Sequence, residues 1–197
     1  MKLIVEADGG SRGNPGIAGA GALVRVGNKV LDAIAIPLGK KTTNNVAEYE
    51  GLIAGLKAAQ SIDHSATVEV RLDSNLVVNQ VFGTWQAKNP DMWRLCEQAK
   101  YVILEIESAG GSVNGSWIRR KKNKAADELS NEAMDAESAN LMWSRRDSVF
   151  CNRHNISVGP GLVEDDEAPP EWDLEGLEND ELKDLSLAVA QELKRRR

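Results

Sequence analysis

The chain has 197 residues, enough for one domain and an appendage, and its 42% hydrophobic content is typical of a soluble protein. No apolar run approaches the roughly 20 residues of a membrane-spanning helix, and the first residues lack the pattern of a signal peptide. The two cysteines match neither a metal-binding spacing nor a disulfide framework, which favours a reducing, cytoplasmic setting without a membrane partner.

The net charge of −6 is unevenly distributed. Residues 1–136 carry 16 Lys and Arg against 16 Asp and Glu, whereas residues 137–197 carry 8 against 14. A neutral first part remains compatible with phosphate binding, because bound cations reverse the sign of an acidic site. Since it has no basic stripe, we expect only modest affinity for polyanions.

Three strands are predicted first in the chain. Alternating residues indicate a strand over residues 2–8 that ends at Asp8 and is followed by a glycine-rich turn. Residues 17–26 and 29–36 form the second and third strands, and the Gly27-Asn28 pair between them is typical of a two-residue hairpin. These three strands are expected to form an antiparallel meander.

A helix follows, capped within residues 42–45 and running to about Gln60. Glu48 lies four residues before Leu52 and therefore faces the buried side of this helix. A carboxylate on that side must be paired, hydrogen-bonded or bound to metal. Residues 67–73 are then predicted to form a fourth strand, with Asp73 at its end.

The remaining elements are a helix over residues 74–82, a helix over 91–108, a strand over 112–119 and a helix that Asn123 caps and that runs to about Asn140. Asp127 lies in the first turn of this last helix. A crossover helix makes the fourth strand parallel to the first. The predicted fold is α/β: a mixed five-stranded sheet, with strands 1–3 antiparallel and strands 4–5 parallel to strand 1, flanked by helices.

Four carboxylates lie at the ends or starts of these elements: Asp8, Glu48, Asp73 and Asp127. If the first and fourth strands are neighbours, Asp8 and Asp73 lie side by side where open α/β sheets place their sites. Magnesium prefers oxygen ligands, and two such ions held close together promote attack on a phosphodiester. The first hypothesis is therefore a metal-dependent nuclease.

Four segments together resemble the ribonuclease H type 1 family, and they lie in the family's order over roughly residues 1–136. They are DGGSRGNPG at 8–16, TTNNVAEYE at 42–50, RLDS at 71–74 and NKAADELSN at 123–131. The resemblance implies a ribonuclease H-like fold and an endonuclease that hydrolyses the RNA strand of an RNA–DNA hybrid. It also implies two Mg²⁺ ions, with Mn²⁺ able to substitute, and products with 5′-phosphate and 3′-hydroxyl ends.

The resemblance also implies roles for individual residues. The catalytic acids, which are also the metal ligands together with Gly9, are Asp8, Glu48, Asp73 and Asp127. Asp8 is expected to touch both ions, Glu48 and Asp73 the ion near the leaving group, and Asp127 the ion near the attacking water. The expected substrate-binding residues are Asn14, Lys41, Thr43, Asn44, Asn45, Ser74 and Asn89. Among them Lys41, Thr43 and Asn89 form the pocket for a DNA-strand phosphate.

Two departures from the resembled pattern stand out. The basic protrusion between the middle helices is missing, because residues 83–90 form only a short loop. The loop before Asp127 contains no histidine, and Arg119 or Arg120 is expected to take over its part in product release.

Residues 1–140 are predicted to form the nuclease domain, and residues 141–197 a C-terminal extension with an acidic linker and an amphipathic helix. That helix needs a partner surface, either its own domain or another protein. Two other functions stay open: a nuclease of the same superfamily that acts on DNA, and a hybrid-binding module without catalysis. Simpler interpretations also stay open, with Asp127 as a partner of the helix dipole and Asn44 and Asn45 as helix caps.

Overall fold

A computed structural model describes residues 1–138 of the chain, and the predicted extension 141–197 lies outside the described residues. Five strands form one sheet; they are β1 Lys2–Gly13, β2 Gly16–Val26, β3 Lys29–Pro37, β4 Thr67–Leu72 and β5 Ser112–Trp117. Four α-helices accompany them; they are α1 Asn44–Ile62, α2 Asn75–Val81, α3 Pro90–Ser108 and α4 Lys124–Ser138. A short 3₁₀ turn, Arg120–Lys122, lies between β5 and α4.

The sheet has the strand order β3-β2-β1-β4-β5. β1 pairs antiparallel with β2, and β2 antiparallel with β3. β4 pairs parallel with β1 on one side and with β5 on the other. The predicted mixed five-stranded sheet flanked by helices is therefore confirmed, because the crossover through α1 returns the chain parallel to β1.

The two faces of the sheet bury different helices. Leu3, Val5 and Ala7 of β1 are fully buried and belong to the larger core, which includes Leu52 and Leu56 of α1. The opposite face carries a smaller cluster of apolar side chains with α4, formed by Leu23, Val30, Ala33 and Leu129. Side chains alternate across a strand, so β1 contributes apolar residues to one face while Glu6 and Asp8 lie on the other.

The end of β1 was predicted wrongly. The strand does not end at Asp8 but continues to Gly13, with Gly9 opposite Ala20 and Gly10 opposite Gly19 on β2. The parallel ladder with β4, in contrast, ends at the pair Ala7 and Leu72. Asp8 is consequently the first residue of β1 that has lost its β4 neighbour, and Asp73 is the first residue after β4.

Smaller differences occur at the end of the described chain. β5 ends at Trp117 and not at residue 119, and α4 is described as far as Ser138. Among residues 1–138, no helix combines the length and the apolar character needed to cross a membrane.

Candidate active site

Asp8 lies on the face of β1 that α4 covers, and only 2% of it is exposed. Its Oδ2 accepts a hydrogen bond from the hydroxyl of Ser130 on α4, at 2.7 Å. Ser130 is itself buried, and its hydroxyl is also 2.9 Å from the carbonyl oxygen of Asp127. The carboxylate is therefore held by a side chain 122 residues away in sequence.

Glu48 lies in the second turn of α1, whose first turn is capped by Thr43 through a hydrogen bond from the amide of Val46. The helix lies directly against β1 here: a Cβ atom at Gly9 would be only 2.1 Å from the backbone nitrogen of Glu48. Such contact requires glycine, because a side chain would collide with helix backbone. Glu48 is 9% exposed, and its Oε2 atom has no hydrogen-bond partner among the described residues.

Asp73 is half-buried and follows β4 directly. Asn123 donates from Nδ2 to Oδ1 of Asp73 at 2.6 Å and to the carbonyl oxygen of Ala7 at 2.8 Å. The indole nitrogen of Trp117 donates to the main-chain carbonyl of Asp73 at 3.0 Å. The side chain and the main chain of Asp73 are therefore both held by residues that follow the fifth strand or end it.

These three acids form one cluster. One carboxylate oxygen from each of Asp8, Glu48 and Asp73 lies within 4.8 Å of the other two. The pKa of Asp8 is raised to about 6, chiefly by burial and also by the charges of Asp73 and Asp127, against the hydrogen bond from Ser130. The pKa of Glu48 is raised to about 9, chiefly by burial and also by the charges of Asp8 and Asp73. Both shifts express the cost of crowding negative charge in a poorly solvated place.

The structure does not bring Asp127 into this three-acid cluster. Its Oδ1 accepts a hydrogen bond from the Arg120 guanidinium in an ion pair, and Asn131 donates to its Oδ2 at 3.4 Å. Asp127 is nevertheless close enough for its charge to act on Asp8. Arg120 also lowers the pKa values of Asp8 and Glu48, so its charge acts on the whole site. Arg119 is exposed and does not share this contact.

The donor set fits a magnesium ion. It offers carboxylate oxygens, which hard cations prefer, with a spacing that one ion can bridge. The buried Oε2 of Glu48 lacks a partner among the described residues, and a cation would supply the missing interaction. The raised pKa values of Asp8 and Glu48 also fit a bound cation, because its positive charge would lower both. Asp8, Glu48 and Asp73 are the residues that would hold it, with Asp127 beside them.

A second cluster of predicted residues lines an open cleft of about 540 Å³. The predicted substrate-binding residues that line it are Asn14, Lys41, Thr43, Asn45 and Asn89. The cleft lies where the N-termini of α1 and α3 meet, because Thr43 caps the first helix and Asn89 caps the second. Helix N-termini attract anions.

Capping leaves Asn89 able to bind a ligand. Its Oδ1 accepts from the amides of Asp91 at 2.9 Å and Met92 at 3.2 Å, which leaves the side-chain amide group as a donor toward the cleft. The N-cap of α1 is Thr43, so Asn44 and Asn45 are not caps. The Asn44 side chain opposes the rise in the pKa of Glu48. The Asn44 backbone amide donates to Oδ1 of Asn14 at 3.2 Å.

Ser74 is not among the residues that line the cleft. Its hydroxyl caps α2 by accepting from the amide of Val77 at 3.4 Å. The sequence interpretation missed Ser130 and Asn123 as partners of the acids, having given Asn123 the role of a helix cap. It also missed Arg94, which lines the cleft. The only signal for all three was their position near a predicted site element, since nothing in the local pattern shows the contact.

Known proteins resemble this chain in sequence and in fold. Residues 6–133 match the family described as Reverse transcriptase-like. A protein of Hydrogenovibrio crunogenus named Ribonuclease H is 33% identical over 146 residues, covering 65% of this chain and 92% of the relative. The solved structure of LC11-RNase H1 in complex with an RNA/DNA hybrid is 37% identical, with a TM-score of 0.63, and covers 68% of this chain and 97% of that one.

The chain belongs to the ribonuclease H type 1 family. Another relative, a bifunctional protein of Mycobacterium tuberculosis, is 45% identical over 138 residues, which are 69% of this chain. The match covers only 36% of that relative, so the chain corresponds to about a third of its length.

This ribonuclease H type 1 chain has only a short connection between its two middle helices, α2 and α3. α2 ends at Val81 and α3 begins at Pro90, and no helix lies between them. The connection carries Trp85, whose relative exposure is 51%. The predicted absence of a basic protrusion agrees with this short loop.

Proposed function

We propose that the protein is an endoribonuclease that hydrolyses the RNA strand of RNA–DNA hybrids and leaves 5′-phosphate and 3′-hydroxyl ends. The observation that carries the proposal is the acid cluster of Asp8, Glu48 and Asp73, whose carboxylate oxygens lie within 4.8 Å of one another. Family membership and the hybrid complex of LC11-RNase H1 support the same substrate. We also propose a cytoplasmic setting, on the cysteine usage of the chain alone.

Two magnesium ions are the proposed cofactors, with Mn²⁺ able to substitute. When bound, they neutralise charge on the scissile phosphate and favour ionisation of the attacking water. Asp8, Glu48 and Asp73 would bind them, and the backbone of Gly9 and the side chain of Asp127 would complete the ligand set. The four acids would position the metal ions and supply the negative charge that binds them. Hydrolysis of a phosphodiester requires no other kind of cofactor and no covalent intermediate.

The chain's own residues hold this site in order. Ser130 holds one oxygen of Asp8, and Asn123 holds one oxygen of Asp73, which leaves the remaining oxygens for metal. The cleft beside them would bind a phosphate of the DNA strand through Lys41, Thr43 and Asn89. Thr43 and Glu48 are five residues apart on one helix, a rise of about 7 Å, so cleft and acids are rigidly connected.

Three asparagine side chains near the N-terminus of α1 would contact the sugars of the hybrid. A side-chain amide both donates and accepts, as the RNA 2′-hydroxyl does, and this hydroxyl distinguishes RNA from DNA. Asn44 and Asn45 begin α1, and Asn14 of the β1–β2 connection accepts from the Asn44 amide. Asn14 and Asn45 also line the cleft. We propose that they contact the minor groove without strict sequence preference.

One assay tests the proposal against its alternatives. Labelled RNA–DNA, RNA–RNA and DNA–DNA duplexes are incubated with the full chain in Mg²⁺, Mn²⁺ or chelator, beside an Asp8→Asn variant. We expect cleavage of the RNA–DNA hybrid alone, only with metal, and none by Asp8→Asn with an unchanged circular dichroism spectrum. Cleavage of DNA–DNA would favour the DNA nuclease, binding without cleavage the binding module, and near-native turnover by Asp8→Asn would rule out the site.

A further inference from the structure

The cleft at the N-termini of α1 and α3 contains a second cationic side chain. Arg94 lines it from the second turn of α3, opposite the residues that precede α1. Lys41 lines the same cleft and is exposed. The single acid among the lining residues is Asp91, so the cleft's side chains carry a net positive charge in addition to the two helix N-termini.

Arg94 is half-buried, and its guanidinium forms no ion pair within 4.0 Å among residues 1–138. The charge of Arg94 acts on Glu50 of α1: burial raises the pKa of Glu50, and the charges of Arg94 and Lys57 oppose that rise. Within residues 1–138 no carboxylate lies in an ion pair with Arg94, so its planar donor group is not engaged by a carboxylate there.

The two cations of the cleft differ in what they can hold. Lys41 offers a compact charge on a flexible stem, which attracts a phosphate without fixing its orientation. A guanidinium presents parallel N–H donors that match two phosphate oxygens. Met92 and Leu95 line the cleft together with Arg94, and packing against such apolar groups limits the freedom of an arginine stem.

We propose that Arg94 is a substrate-binding residue that holds, with Lys41, one phosphate of the DNA strand and supplies the two-pronged contact that lysine lacks. The proposal rests on the proposed function, because it takes the hybrid as the ligand of this cleft. Asn89 donates from its amide group, Lys41 provides charge, and Arg94 fixes orientation. The phosphate would thereby set the register in which the RNA strand meets the acid cluster one helical turn away.

The test is a scan with neutral phosphates. Hybrids are made in which a single methylphosphonate replaces each phosphate of either strand in turn. Binding to the full chain is measured in chelator by fluorescence anisotropy, with every protein carrying Asp8→Asn so that the hybrid stays intact. We expect one DNA-strand position at which neutralisation weakens binding by about tenfold, since a hydrogen-bonded charge is lost there.

Arg94→Ala should weaken binding of the unmodified hybrid by about tenfold and remove most of the extra loss at that one position. Arg94→Lys should lie in between, because it retains the charge without the fork. The slope of log K against log salt should fall by about one in Arg94→Ala. Lys29→Ala, at the exposed β2–β3 turn, is the matched control and should leave both quantities unchanged.

Repeating the measurements in a Glu50→Gln background separates two roles of Arg94: binding the phosphate, and balancing the charge of Glu50. If Arg94 binds phosphate, the effect of Arg94→Ala persists in that background; if Arg94 only balances Glu50, the effect disappears and the inference is overturned. Equal losses at the sensitive position for wild type and Arg94→Ala would also overturn it, while leaving hybrid binding intact. A chain that binds no hybrid would instead overturn the proposed function. Thermal melts show whether each variant is folded.

Discussion

The hydroxyl of Ser130 donates a hydrogen bond to Oδ2 of Asp8 across 2.7 Å and so joins α4 to the central strand at the acid cluster. The bond lowers the pKa of Asp8 and opposes the stronger effect of burial, and the net pKa is about 6. Ser130 thus favours the ionised carboxylate that a metal requires. It does so without using the second oxygen of Asp8.

Ser130→Ala is predicted to weaken metal binding most at low pH. Without the hydroxyl the pKa of Asp8 rises further, so more of the carboxyl is protonated near pH 6 and the metal must displace that proton. We expect the apparent Kd for Mn²⁺, measured by calorimetry, to rise about 3–10-fold at pH 6 and less at pH 8. Ser138→Ala is the control, since the hydroxyl of Ser138 bonds to the Met134 carbonyl and lies outside the acid cluster. A pH-independent effect would contradict this account.

The second predicted change concerns Asn123, which is 1% exposed and bonds to Asp73 and to the Ala7 carbonyl. Asn123→Ala removes both bonds and leaves the Ala7 carbonyl without this donor, so we expect a loss of about 1–3 kcal/mol in the free energy of unfolding. The turnover number should also fall by about tenfold or more, because Asp73 is no longer oriented. Urea unfolding and steady-state kinetics measure the two effects.

A control separates orientation from stability. Asn114→Ala changes an exposed asparagine of β5 and should leave both quantities near their wild-type values. If Asn123→Ala lowers stability but leaves turnover unchanged, Asn123 is a core residue and not a support of the acid.

Much of the site was predictable because the acids lie in short local motifs. Asp8, Glu48 and Asp73 converge as expected, since parallel pairing of β1 and β4 follows from the crossover through α1. The contacts of Ser130 and Asn123 were not predictable, because they connect residues 122 and 116 positions apart with no local pattern. Packing, and not propensity, decides such contacts.

The end of β1 was also not predictable from the local sequence pattern. Glycines normally indicate a turn, and Gly9 and Gly10 were interpreted in that way. Here they stay in the strand because helices lie against it on both faces: a Cβ at Gly10 would be 2.7 Å from the Met134 side chain of α4. Small residues were needed for close approach, a requirement that exists only in the folded protein.

Glu48→Gln is predicted to stabilise the metal-free protein at high pH. The pKa of Glu48 is about 9 in the folded state against 4.5 for an unperturbed glutamate, and that of Asp8 about 6 against 3.8. The folded state therefore binds more protons than the unfolded state between these values, and stability falls as the pH rises through them. The stabilisation that comes from protonating these two carboxyls in the folded state is fully present only below about pH 4.

In chelator at pH 8–9, Glu48→Gln should melt roughly 3–8 °C above wild type, because the amide carries no charge into the cluster. The two melting curves should converge near pH 4, where Glu48 is protonated in both states. Magnesium should raise the melting temperature of wild type more than that of the variant, since a ligand has been removed. Glu107→Gln, on α3 and outside the cluster, is the matched change. Equal behaviour of wild type and Glu48→Gln at pH 9 would contradict the raised pKa.

Arg120→Ala is predicted to separate metal binding from turnover. The Arg120 guanidinium holds Asp127 in an ion pair, so its removal frees a carboxylate and should lower the Mg²⁺ concentration at half-maximal activity by about 2–5-fold. If Arg120 also assists product release, multiple-turnover rates fall while the single-turnover rate is preserved, and a burst of product appears. Arg120→Lys retains the charge, so its Mg²⁺ requirement and its multiple-turnover rate should lie between those of wild type and Arg120→Ala. Arg119→Ala, the exposed neighbour without this ion pair, is the control; a burst in Arg119→Ala alone would transfer the role in product release to Arg119.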